Sequence, residues 1–238
     1  MTGRSELAAV PIAAEALHRF HRRGHSEVHA LRDVSLSCAP GEFVAVVGPS
    51  GSGKSTLLNL LAGLDVPDGG RVVVYGQPIT RVGEPRAAAL RARHVGILTQ
   101  RSALLGHLTV AQNVQLAIGL RARARRVRAD RKARDAILDS LGLYELRDRL
   151  PVTLSGGETA RAGLAAALAG HPDVLLADEP TAELSAAEEA TLLDLLHTMR
   201  PRQGVTILVT HSEAASAGAD RVVHLAEGRV TPPARAGV

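Results

Sequence analysis

The sequence predicts an α/β fold built on a largely parallel, helix-covered sheet. Three observations carry that expectation. Short apolar runs at 43–47 (FVAVV), 173–177 and 205–210 lack polar alternation, as strands buried on both faces do. Stretches of helical pattern at 57–64, 155–169 and 185–200 fall between or beside them. Turn residues punctuate the series, with Pro40-Gly41 before the first run and Gly48 directly after it.

In chain order, residues 1–9 read as a loose terminus and 10–17 as a strand. Residues 18–29 read as a basic, histidine-rich turn around Gly24, and 30–37 alternates apolar and polar like a half-buried strand. A glycine-rich loop follows the run at 43–47, and Gly63 stops the helix at 57–64. Residues 71–75 and the run HVGILT at 94–99 are further strands. The long middle, 109–150, is helical in pattern with few turn signals until Pro151 breaks it. Residues 221–225 and 228–230 close the fold as short strands, and Pro232-Pro233 opens a free tail. A chain of 238 residues without an internal repeat fits one domain.

Composition removes several classes. With 45% hydrophobic and 22% charged residues the chain can bury a core, so disorder is excluded. The single cysteine, Cys38, forms no intrachain disulfide and fits a reducing compartment. Net charge is only +4, and the two Phe and two Tyr are too few to interleave with the basic residues as single-strand stacking platforms. No apolar run approaches the roughly 20 residues of a membrane span.

The first chemical motif is GPSGSGKST, Gly48 to Thr56, which satisfies G-x-x-x-x-G-K-[ST] between a buried strand and a helix. Gly48, Gly51 and Gly53 let the backbone through Pro49 curl so that N–H groups of the loop, those of Ser50 and Ser52 among them, turn toward phosphate oxygens. The helix N-terminus adds its dipole. Lys54 supplies a mobile charge for β- and γ-phosphates, Ser55 a Mg²⁺-ligating hydroxyl, and Thr56 a hydrogen bond near the α-phosphate. Only Lys54 and Lys132 are lysines in a chain otherwise rich in arginine.

The second motif is VLLADEP, 174–180, where an apolar strand delivers Asp178 and Glu179 to its C-terminal end. Ligands of open α/β sheets bind at that edge. Asp178 is a Mg²⁺ ligand candidate through water, and Glu179 a base that polarises an attacking water. The third is LSGGE, with Ser155, Gly156, Gly157 and Glu158. Ser155 and Glu158 have capping-box spacing, but two glycines in a first turn weaken a helix and instead bare its N–H groups as a second anion site.

The phosphate loop, Gln100, LSGGE, LLADEP and His211 stand in the order and approximate spacing of the ATP-binding-cassette (ABC) ATPases, and over residues 10–230 the chain resembles that family. The stretches at 28–36, 41–65 and 104–114 look most like the branch serving lipoprotein-release and macrolide-export type transporters. The resemblance implies one cassette over 10–230: a RecA-like P-loop NTPase core, an N-terminal antiparallel β subdomain, a helical subdomain inserted at about 101–168, and flexible ends at 1–9 and 231–238. It implies a head-to-tail homodimer in the ATP-bound state, with ATP between the phosphate loop of one copy and Ser155 and Gly157 of the other. Gln100 would bind Mg²⁺ and the attacking water, His211 would contact the γ-phosphate, and Phe20 would stack on adenine where Tyr is usual. ATP and Mg²⁺ are the implied ligands. The implied setting is cytoplasmic, peripheral on the inner face of the membrane beside an integral permease, with no nucleic-acid partner.

Three departures bear on coupling. Thr159-Ala160-Arg161 follows LSGGE where glutamine is common, Ser185 stands where an Asp is usual, and Thr99 precedes Gln100 in place of a bulky apolar residue. Ser185 with Glu188 again has capping-box spacing. The run at 121–134 holds eight basic residues, Arg121, Arg123, Arg125, Arg126, Arg128, Arg131, Lys132 and Arg134. Their scatter around a helix favours a solvated face over a lipid-binding stripe. A soluble cassette acting on DNA or ribosomes is the rival function, and a P-loop kinase a weaker one; the first expects tandem cassettes or a coiled-coil insertion, and LSGGE with His211 argues against the second.

Overall fold

A computed structural model describes residues 10–23, 26–99 and 104–231. Among these, β1 (Ile12–Arg23), β2 (Ser26–Cys38), β4 (Gly69–Val74) and β5 (Gln77–Pro78) form an antiparallel sheet in the order β2-β1-β4-β5. The second sheet has six strands in the order β10-β9-β3-β8-β7-β6. Its members are β3 (Phe43–Val47), β6 (Val95–Thr99), β7 (Val174–Asp178), β8 (Val205–Val209), β9 (Arg221–Ala226) and β10 (Arg229–Thr231). All neighbours in it are parallel except the edge pair β9–β10. The helices are α1 (Lys54–Leu61), α2 (Glu84–His94), α3 (Val110–Arg125), α4 (Arg131–Ser140), α5 (Gly156–Leu168), α6 (Ala186–Met199) and the short α7 (Glu213–Ala217).

Helix α1 lies between the two sheets. Leu57, Leu58, Leu60 and Leu61 are all at most 1% exposed while Ser55 and Asn59 on the opposite side are exposed, so this helix buries one broad face. They pack with Ile12, Leu17 and Leu31 of the antiparallel sheet and with Val44, Leu176 and Ile207 of the parallel one. A second core covers the other face of the parallel sheet, where Phe43, Leu175 and Leu208 meet α3, α5 and α6 through Val114, Leu164 and Leu196. Phe43 is therefore core, as its place in a buried strand predicts.

One expectation is corrected here and another is refined. Residues 18–23 and 26–29 are strand rather than turn: β1 and β2 stay paired into this tract, with Phe20 opposite His29 and His21 opposite Val28, and Gly24, the expected centre of the turn, lies outside the described residues. Beyond His18, β1 loses its second neighbour β4, so these residues pair on one side only and His21 and His29 face solvent. A solvated ladder has no apolar alternation to reveal it. The tract 109–150 is helical as expected, in several pieces. Arg126 ends α3 in a left-handed conformation (φ 57°), and the Asp130 side chain caps α4 by accepting from Lys132 N–H at 2.8 Å. Two 3₁₀ turns, Tyr144–Leu146 and Pro151–Thr153, then lead to α5. Thr231, assigned to a flexible end, pairs with His224 in β10; the remaining residues of that end, and 1–9, lie outside the described residues.

The basic run also divides. Arg123, Arg126, Arg128, Arg131 and Lys132 are exposed, and Arg134 pairs with its neighbour Asp135. Arg121 is 6% exposed, and its guanidinium donates to the carbonyls of Ala169 and Val95. One turn on, Arg125 donates to the carbonyls of Arg93, Gly170 and His171 and pairs with Asp173 at 2.9 Å. Burial, with Arg125 nearby, lowers Arg121 to about 10, which leaves it charged at neutral pH. The two arginines tie the helical region to the entry ends of β6 and β7, so for them the solvated-face expectation fails.

Candidate functional site

The chain leaves β3 at Gly48, curls through 48–53 and enters α1 at Lys54. Backbone crowding dictates the glycines: a Cβ on Gly48 would overlap the Leu225 carbonyl, and one on Gly53 would overlap the Ala30 carbonyl. Gly53 also takes φ 105°, which side-chain-bearing residues avoid. The Lys54 ammonium, 7% exposed, curls back to donate to the carbonyls of Gly48 (2.8 Å) and Pro49 (3.1 Å). The Ser52 hydroxyl is buried in the loop without a hydrogen-bond partner. Ser50, Gly51, Gly53, Lys54, Ser55 and Thr56 line a cavity of about 680 Å³.

Strand β7 brings the acids to the same edge. Ser55 Oγ donates to Asp178 Oδ1 at 3.3 Å. Burial raises the Asp178 carboxyl above its ordinary range; the Ser55 hydrogen bond opposes this, the Glu179 charge reinforces it, and Lys54 opposes it. Two adjoining hard oxygen donors with a carboxylate short of counter-charge fit Mg²⁺, which takes one or two protein oxygens plus phosphate and water. Among the described residues no cluster of three His, Cys, Asp or Glu offers an all-protein alternative.

Glu179 has a left-handed backbone (φ 45°), fixed by its N–H donating to the Val209 carbonyl at 2.9 Å. A non-glycine residue held there is costly and marks a site where placement matters. The turn swings its carboxylate into the cavity, where Oε1 is 4.0 Å from the Lys54 ammonium and Oε2 is 2.6 Å from His211 Nδ1. His211, 65% exposed, follows β8, and the Thr210 N–H bonds the Val46 carbonyl of β3. Adjacent parallel strands thus bring Lys54, Ser55, Asp178, Glu179 and His211 together.

Other expected residues lie elsewhere. Phe20 does not line the cavity. Its ring meets His29 edge-on at 4.5 Å, while the cavity is walled by His21, Val28 and Ala30, on the other face of the hairpin. Phe20 pairs with His29 and its neighbour His21 with Val28, and successive strand residues face opposite sides. Histidines 18, 21 and 29 did stand out in the sequence, but which one faces the loop depends on the pairing of β1 with β2. Gln100 lies outside the described residues.

The start of α5 also contributes nothing to the cavity wall. Ser155 and Glu158 form the expected capping box: Ser155 N–H donates to Glu158 Oε2 (2.8 Å), and Glu158 N–H to Ser155 Oγ (3.2 Å). The Gly157 N–H donates to Glu188 Oε1 at 3.2 Å, a contact that sequence spacing did not reveal.

The ABC transporter family matches residues 31–182, well over half of the chain. The chain belongs to that family. It is similar to the lipoprotein-releasing system ATP-binding protein LolD of Bordetella pertussis, 41% identical over 93% of this chain and 95% of LolD. It is also similar to the macrolide export ATP-binding/permease protein MacB of Haemophilus ducreyi, 37% identical over 92% of this chain but only 31% of MacB. The fold superposes on the ATP-binding cassette MJ0796, solved as a dimer in a post-hydrolysis state with ADP and Pi, with TM-score 0.84 and 29% identity over 93% and 97% of the two chains. The cassette described here is accordingly an ATP-binding ABC ATPase.

A second concavity of about 540 Å³ opens on the helical side of this ABC cassette. Leu64, Leu105, Leu116 and Leu120 line it and are each 42–55% exposed. Among the described residues no helix is long and apolar enough to cross a membrane.

Proposed function

We propose that this chain is the ATP-hydrolysing subunit of a transporter, energising a separate integral permease through ATP-driven closure of a head-to-tail homodimer. The observation that carries this reading is the separation of two anion-binding helix starts. The α1 start lines the cavity with Lys54, and the α5 start lies outside it, so a second copy is needed for both to meet one nucleotide. The dimeric form of the similar cassette MJ0796 supports the same arrangement.

In this account the loop N–H groups, Lys54 and Thr56 hold the ATP phosphates, and Lys54 exchanges its carbonyl partners for phosphate oxygens. Ser55 and Asp178 would hold Mg²⁺, which when bound screens phosphate charge. Glu179 accepts the proton of the attacking water, while His211 fixes the Glu179 carboxylate and faces the γ-phosphate side. His21, rather than Phe20, walls the base side of the cavity. Gln100 is the proposed further ligand of Mg²⁺ and the attacking water, and through it the site would report to the permease.

The exposed leucines at 64, 105, 116 and 120 are the proposed docking surface for the permease, because scattered single leucines are ordinary but a shared groove of them is not. Similarity to LolD across nearly the full length of both chains supports a separately encoded permease, peripheral placement on the inner face of the membrane, and export or mechanical coupling across the envelope. The test is to tag the chain in its host, extract membranes in mild detergent and identify what co-purifies. A stoichiometric integral membrane protein is expected; ribosomes or DNA in its place would overturn this function in favour of a soluble cassette.

A further inference from the structure

Glu188 occupies the third position of α6, and its carboxylate serves two helix starts at once. Oε2 accepts from the Ser185 hydroxyl (2.7 Å) and the Ser185 N–H (3.0 Å), and Oε1 accepts from the Gly157 N–H of α5 (3.2 Å). The fit is close, since a Cβ on Gly157 would lie 2.6 Å from Glu188 Oε1 and 3.1 Å from its Cδ. The Ser185 hydroxyl and N–H, then Gly157 and Arg161, hold the carboxyl below its usual range, so it is charged at neutral pH. The Ser155 hydroxyl accepts from Glu158 N–H and keeps its own proton to donate, so the donor that Glu188 occupies at this helix start is the Gly157 N–H.

A carboxylate on a helix-start N–H occupies the position that a phosphate oxygen takes at such a terminus. We infer that Glu188 is an internal stand-in for phosphate at the α5 start, and that its release from Gly157 sets the ATP concentration at which two copies close. The inference rests on the proposed reading that this helix start meets the nucleotide of the partner copy. With Glu188 in place, an incoming phosphate meets both an occupied donor and a like charge, so the contact opposes closure without touching the cavity beside Lys54. Ser185 belongs to the same device. An acceptor-only Asp there would repel Glu188, whereas the serine hydroxyl donates to it and keeps it aimed at α5.

The experiment uses the full chain with Glu179→Gln, to prevent turnover, and reads dimer formation by sedimentation as Mg-ATP is raised. Glu188→Gln is then added. The amide oxygen retains the bonds to Ser185, so the fold is kept while the charge is lost; Glu188→Asp keeps the charge and shortens the reach to Gly157. Both should lower the half-maximal ATP concentration, the Gln variant by about tenfold, the size of one charged hydrogen bond. ATP affinity measured on dilute monomer should stay within about twofold of the parent. If dimers form at an unchanged or higher ATP concentration in both variants, or if monomer affinity accounts for the whole shift, the role of Glu188 is overturned. If Glu179→Gln alone stays monomeric at saturating ATP, the dimer reading itself falls, and this inference with it.

Discussion

The two helix starts of this chain that are proposed to meet ATP phosphates present their donors in opposite ways. At α1 the surrounding backbone shapes the cradle: neighbouring carbonyls exclude side chains at Gly48 and Gly53, and Lys54 waits on the loop's own carbonyls. At α5 side chains fill the donors, Glu158 closing the capping box and Glu188 reaching across from α6. On the proposed reading the first start is open to phosphate as folded and the second gives up a carboxylate, so ATP affinity of the monomer and assembly of two copies are set by different residues in different parts of the chain.

The comparison can be broken hardest at Glu179. Glu179→Gln should cut ATP turnover by about 10²–10⁴-fold, the usual worth of a positioned base, while leaving ATP binding in place, as a phosphate-release assay beside a binding assay will read. Lys54→Ala comes next. It should weaken ATP binding by about tenfold or more through loss of a charge-assisted contact, measured by titration calorimetry. Unchanged affinity would contradict the assignment of the α1 cradle.

Stability variants sharpen the comparison by loosening the region that carries α5. Arg121→Met should cost about 2 kcal/mol in denaturant unfolding, because the carbonyls of Val95 and Ala169 lose a buried donor. Asp173→Asn should show a smaller, pH-dependent loss. Asp173 is partly buried, which alone would raise it, but its hydrogen bond with His94 and the charge of Arg125 win and hold it below its ordinary value. A lowered carboxylate stabilises the fold above its unfolded pKa and loses that contribution as pH falls through the folded one. The deficit of the Asn variant should therefore be full at neutral pH and shrink below about pH 4 in thermal melts.

Much of this architecture was legible in the sequence, and the exceptions share a cause. Strands β3, β7 and β8 were placed within a residue or so because burial on both faces leaves an unbroken apolar run. The phosphate loop, Asp178, Glu179 and His211 converge as their positions at strand ends require. Helix α2 went unread because its EPRAAALRARH sequence buries only Ala87, Leu90 and His94, too little apolar contrast to mark a face. The strand ends at 18–23 and 26–29 hid behind polar side chains, and the wall position of His21 depends on a strand pairing that composition does not encode. Arg121 looked like surface because arginine usually is; only the carbonyls left over at the ends of β6 and α5 explain its burial. Glu188 was recognised as a cap, but its second acceptance, from a helix start 31 residues earlier, is tertiary.

The contrast between the glycines has a genetic consequence. At Gly48 the obstacle to any side chain is the main-chain oxygen of Leu225, which no substitution elsewhere removes. A selection for second-site revertants of Gly48→Ala should return true revertants alone. At Gly157 the obstacle is the tip of Glu188, and the same selection begun from Gly157→Ala should recover shortened side chains at position 188. One glycine is fixed by the fold, the other by a negotiable neighbour, and only the second leaves lineages room to drift.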